Sequence, residues 1–289
     1  MAAVLPLARS GPAHERDAGL AAPRFDSSEP VSGRTETTPV ESEREIGPYW
    51  VRSRKPLAIL LFLLPFVVFY ELALLFLPDG EGRFDIVAYQ GLESLFERLG
   101  LAGAGMAIPG ILLIVCLLAW HVMERDPWRI EAPTIPLMWT ESMLVAVPVV
   151  VLGLLLPSSI GMAVALQDVG ESGRIGSDSS LMSLLPMAVG AGLYEELIFR
   201  WILIALTHTL FADLFKLSNR TAMTVAVVLS SVLFMLAHSP NGSVAVVFYL
   251  LAGVWFSALY LIRGFGIAAG GHIAYDVVWV LWGGFHASG

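Results

Sequence analysis

A chain of 289 residues with 56% hydrophobic and only 15% charged residues carries too little charge for an ordinary water-soluble domain, where about a quarter of residues are charged. With a mean hydropathy of +0.72 and recurrent apolar runs of roughly 18 residues or more, its main solvent is lipid, which excludes a soluble enzyme. The single cysteine, Cys116, excludes an intramolecular disulfide and a cysteine-based zinc cluster, and a net charge of −8 gives no sign of a nucleic-acid partner.

Residues 1–50 are rich in Pro, Ser, Thr, Glu, Arg and Ala, the composition of a disordered tail. No apolar stretch with a small-residue cleavage site follows Met1, so no removable signal peptide is expected. About seven spans follow: Pro56 to Leu77, Gly103 to Val122, Leu137 to Leu156 with an apolar continuation to Leu166, Leu181 to Leu206, Ala222 to Ala237, Val244 to Ile262, and Ile267 to Trp282. The fold class is thus an all-α polytopic transmembrane bundle, with N-terminal helices over 51–180 and a polar-rich core over 181–284. Between the first two spans, Ile86, Leu92, Leu95, Phe96 and Leu99 alternate with acids at near-helical spacing, which fits a short interfacial helix or a solvated connector.

Basic residues flank alternate span ends. Arg52, Arg54, Lys55, Arg125, Arg129, Lys216, Arg220 and Arg263 fall on one side, and Arg83, Arg98 and Arg174 on the other. Basic residues accumulate on the cytoplasmic side, so the N-terminus is expected in the cytoplasm and the C-terminus outside, in a plasma (inner) membrane of a prokaryote. Trp201, Trp255, Trp279 and Trp282 are expected to face lipid or the aromatic belt, and His121, His208 and His286 the interface. Gly266 and Gly270 suit close helix packing.

The run from Gly192 to Arg200 reads Gly-Leu-Tyr-Glu-Glu-Leu-Ile-Phe-Arg inside an otherwise apolar span. Each charge near a helix centre costs roughly 2.5–3.5 kcal/mol, so Glu195, Glu196 and Arg200 together cost on the order of 8–10 kcal/mol. Such groups turn inward and find partners. Glu196 and Arg200 are four apart on one helix face in the favourable order for an ion pair. Glu195, rotated by about 100°, points elsewhere. Phe234-x-x-x-His238 ends the fifth span and His272-x-x-x-Asp276 lies in the seventh. Polar groups on three apolar helices lower one another's penalty if they converge in one pocket. There a glutamate beside a histidine can hold a water and take its proton, and a second histidine can stabilise an oxyanion. Taken as simple spans, His238 sits near the outer end of its helix and His272 nearer the inner end of its own. Sharing a site therefore needs a short, tilted or broken helix, for which Gly264, Gly266, Gly270 and Gly271 are candidates.

Glu195-Glu196-x-x-x-Arg200, Phe234-x-x-x-His238 and His272-x-x-x-Asp276 resemble the three ordered motifs of the CAAX prenyl endopeptidase and bacteriocin-processing (CPBP, or Abi) family, from about Leu181 to Trp282. Asn241 resembles the loop that often follows the second motif. The resemblance implies a glutamic-type intramembrane endopeptidase acting on a membrane-associated protein or peptide. Glu195 would activate the water with His238, His272 and Asp276 would support the oxyanion, and Glu196 and Arg200 would brace the site. The family's third motif often ends in asparagine where this chain has Asp276, which leaves that residue to orient His272 or to act protonated. No cofactor is expected; a zinc ion held by Glu195, His238 and His272 is the alternative. The rival from another class is a transporter or non-proteolytic scaffold built on the same polar cluster.

Overall fold

The computed structural model describes residues 48–76, 108–156 and 181–287. Hydrocarbon offers no partners to backbone N–H and C=O groups, so each apolar run satisfies its own by coiling into a helix. In chain order these are α1 (Tyr49–Arg52), α2 (Pro56–Phe76), α3 (Ile108–Glu124), α4 (Thr134–Leu154) and α5 (Leu181–Glu195). α5 runs on without a break as π-helical turns (Glu196–Ile204), then α6 (Ala205–Thr209) and a second π segment (Leu210–Leu214). α7 (Asn219–Ala237), α8 (Ser243–Arg263) and α9 (Phe265–Ala287) complete the chain. No strand occurs among the described residues.

Six of these helical stretches are long and apolar enough to cross a membrane. The second expected span is the shorter apolar helix α3, of 17 residues. The protein is therefore an integral membrane helical bundle, as the sequence implies. The fourth span runs to Leu214 rather than stopping near Leu206. The interfacial segment 78–101, the continuation to Leu166, Arg83, Arg98, Arg174 and nearly all of the tail lie outside the described residues. Within the last of these, α1 begins at Tyr49.

Local chemistry sets the helix ends. The Ser218 hydroxyl accepts the Thr221 N–H at 3.2 Å and starts α7. Gly264, at φ +88°, separates α8 from α9 in a conformation that side chains disfavour. Gly264 is one of the glycines named above as a candidate break.

α9 is the central helix: 78% of its apolar window is buried, against 28–44% for the other five. It joins two apolar clusters. One is built from α2, α3 and α5, including Phe62, Leu63, Leu113 and Leu193; the other from α4, α7 and α8, including Val149, Phe234, Phe248 and Phe256. Close packing here corrects one expectation. Trp279 is not a belt aromatic but is buried, its ring occupying the space that Gly153 leaves by lacking a Cβ. His121, in the last turn of α3, is buried, edge-on to Trp128 with ring centroids 4.3 Å apart. Trp282 and Cys116 are exposed on the bundle surface, and Gly266 and Gly270 abut Ile59 and Phe62.

Ion pairs gather part of the basic set. Lys55 Nζ lies 2.8 Å from Asp126 Oδ1, Arg52 pairs with Glu131, and Arg263 pairs with Glu141 while donating to Ser53 Oγ at 3.0 Å. The start of α2, the α3–α4 connection and the end of α8 thus share one end of the bundle.

Candidate active site

The site assembles where α5 turns π-helical. Two adjacent acids there find partners on different helices, and the wider turn begins between them. π-Turns within helices are rare and concentrate at functional sites. Gly192 allows the approach of α9: a Cβ there would fall 2.5 Å from the Ile273 backbone nitrogen. His272, one residue earlier, is thereby brought against the acids of α5.

Glu196 is the hub of the inner half. Its Oε1 lies 2.9 Å from Arg200 Nη1 and accepts a hydrogen bond from His272 Nδ1, also at 2.9 Å. All three side chains are fully buried. The Arg200 guanidinium lies 4.1 Å from the Phe234 ring centroid and 5.6 Å from that of Phe256, within cation–π range, and reaches the Gly253 carbonyl at 3.4 Å. On the other side of the His272 ring, Nε2 faces Asp276 Oδ2 at 3.6 Å. Phe256 stacks on the same ring, centroids 4.5 Å apart.

The outer half belongs to Glu195. Its Oε2 lies 3.5 Å from His238 Nε2, longer than a good hydrogen bond. His238 sits at the C-cap of α7, and its Nδ1 donates to the Phe234 carbonyl at 2.7 Å. A carbonyl only accepts, so Nδ1 carries a proton, and in the neutral ring Nε2 turns a lone pair toward the glutamate. Tyr249 stacks on the imidazole at 4.3 Å.

The two histidines are stepped rather than level. Their stacking partners, Tyr249 and Phe256, are seven residues apart on α8, which is about 10 Å of helix rise. Phe234 bridges the step, with its ring 4.5 Å from His238 and 5.9 Å from His272. Seven of the eight anticipated residues therefore gather in one buried cluster. Asn241 does not: it is exposed in the turn between α7 and α8.

Three contributors escape the sequence reading. Tyr249 and Phe256 look like any aromatic in an apolar run and carry no distinguishing signal. Ser230, whose hydroxyl donates to the Phe199 carbonyl at 2.7 Å and ties α7 to the π-turn, is equally silent.

Residues 177–278, about a third of the chain, match the family described as type II CAAX prenyl endopeptidase Rce1-like. This region is similar to an Rce1-like domain. It contains all eight anticipated site residues. No match to the chain was found among curated proteins or solved structures. The Rce1-like family is a CAAX protease family, which directs the reading of the cluster toward intramembrane proteolysis and membrane-associated substrates.

The Nδ1 atoms of His272 and His238 are held by Glu196 and by the Phe234 carbonyl, which leaves each Nε2 as the ring atom that could meet a metal, with the two rings stepped apart. Among the described residues no three His, Cys, Asp or Glu side chains are grouped to hold a metal ion.

Proposed function

We propose that the Rce1-like domain is a glutamic-type intramembrane endopeptidase that needs no metal. Its substrate is a protein or peptide held at the membrane. One observation carries this reading: Glu195 Oε2 and His238 Nε2 face each other at 3.5 Å in a buried setting. With the imidazole neutral both atoms are acceptors, and a water donates to both once the pair opens to about 4.5 Å. Glu195 then takes one proton as general base while His238 orients the nucleophile, and the hydroxide equivalent attacks the scissile carbonyl.

In this reading His272 is protonated on both ring nitrogens, Nδ1 toward Glu196 and Nε2 toward Asp276, and its positive charge supports the developing oxyanion. Asp276, facing His272 Nε2, holds the ring in place and is not itself an oxyanion donor. Glu196 and Arg200 neutralise one another in the layer below and keep the ring from turning. The basic residues at the α2 and α8 end suit a cytoplasmic N-terminus in a prokaryotic plasma membrane.

The test uses the full chain in lipid nanodiscs with a fluorogenic farnesylated CAAX peptide. A parallel comparison covers the membrane proteomes of deletion, Glu195→Ala and wild-type cells. Glu195→Ala and His238→Ala should abolish cleavage while the protein stays folded. Undiminished cleavage by both variants would overturn the assignment.

A further inference from the structure

Glu71 is a carboxylate in the apolar stretch of α2 and takes no part in the cluster above. An ionisable group in a membrane span is expensive and marks a functional position by default. Its partners come from two other helices. The Tyr194 hydroxyl of α5 donates to Glu71 Oε1 at 2.9 Å, and the Gly110 N–H of α3 donates to the same carboxylate. Glycine at residue 110 leaves room for the carboxylate, since a Cβ there would push the Glu71 oxygen out of its place. Tyr194 is fully buried and lies edge-on to Tyr70, centroids 5.2 Å apart.

Tyr194 immediately precedes Glu195, and consecutive residues on a helix differ by about 100° in direction. Tying the Tyr194 ring to α2 therefore sets where Glu195 points. We infer that Glu71 and Tyr194 are positioning residues that fix the rotation of α5 at its first π-turn and so aim the Glu195 carboxylate at His238. The inference rests on the proposed protease mechanism. It assigns the α2–α3 pair a part in the reaction although neither helix lies in the Rce1-like domain.

A hydrogen bond between membrane helices contributes little stability, so the variants should fold. Displacing a reacting group by about 1 Å costs roughly a hundredfold in rate, and loosening a single tie should cost about tenfold. With the farnesylated peptide, Glu71→Ala and Tyr194→Phe should lower kcat about tenfold, with KM within about twofold and an unchanged thermal midpoint. Glu71→Gln keeps a side-chain carbonyl to accept both donors and should recover most of kcat. A second arm needs no substrate: in a Cys116→Ser background, Glu195→Cys with His238→Cys is cross-linked by copper phenanthroline. Adding Tyr194→Phe or Glu71→Ala should slow the cross-link, and adding Glu71→Gln should not. Unchanged cross-linking with Tyr194→Phe, or Glu71→Gln as damaging as Glu71→Ala, overturns the inference. Glu195→Ala retaining full cleavage would instead overturn the mechanism, with the cross-linking arm still deciding the positioning claim.

Discussion

Glu195 and Glu196 are neighbours in sequence and opposites in setting. Glu196 pairs with the Arg200 guanidinium and accepts a hydrogen bond from His272, both without solvent exposure, and a cage of phenylalanines encloses its cation. Glu195 has a histidine at a distance too long for a direct bond, beside the turn that ends α7. A carboxylate already committed to a cation and a histidine is poorly placed to act on a substrate, whereas two acceptors that do not quite meet can share a water. On the proposed mechanism, the membrane holds one carboxylate as structure and the next as chemistry where the helix between them widens.

Breaking the structural side should have the largest effect. Arg200→Met leaves Glu196 buried without its ion partner, and losing one member of a buried pair costs about 3–5 kcal/mol. We expect a sharp drop in thermal midpoint in nanodiscs; a stable Arg200→Met protein would dissolve the distinction between the two acids. On the chemical side, His238→Gln should lower kcat by about a hundredfold, at the low end of general acid–base effects, with a much smaller change in midpoint.

Asp276→Asn sharpens the comparison further, because the amide still reaches His272 Nε2 but carries no charge. If Asp276 only positions the ring, kcat should fall by no more than about tenfold, a loss near 1.4 kcal/mol, and the fold should survive. A loss as deep as that of His238→Gln would make Asp276 a participant in the chemistry.

The smallest effect lies outside both halves. Burial, followed by the nearby Glu141 carboxylate, raises the Tyr49 hydroxyl above its ordinary value of 10.0. A raised value in the folded state means that its contribution is fully present below about pH 10 and is lost as pH climbs through the folded value. The wild-type midpoint should therefore decline on the alkaline side of pH 10, and Tyr49→Phe should flatten that decline.

The bundle was legible because lipid imposes a simple rule: apolar runs must coil, and charges inside them must turn inward. That rule picked out Glu195, Glu196, Arg200, His238, His272 and Asp276, and the pairing of Glu196 with Arg200 followed from their spacing alone. It also applied to Glu71, an acid in an apolar run that the same reasoning passed over because no motif surrounds it. The Glu196–His272 bond was beyond reach, since it depends on how closely Gly192 lets α9 approach α5. Trp279 was misplaced for a related reason: a span's composition says that it meets lipid, and only packing decides which face does.

The most direct test sets Glu195→Gln beside Glu196→Gln in one preparation, recording cleavage of the farnesylated peptide and thermal midpoint for each. The account predicts that Glu195→Gln lowers kcat by about 10²–10⁴-fold with a midpoint near wild type, and that Glu196→Gln lowers the midpoint markedly. Full activity in Glu195→Gln, or the two profiles exchanged, would contradict it.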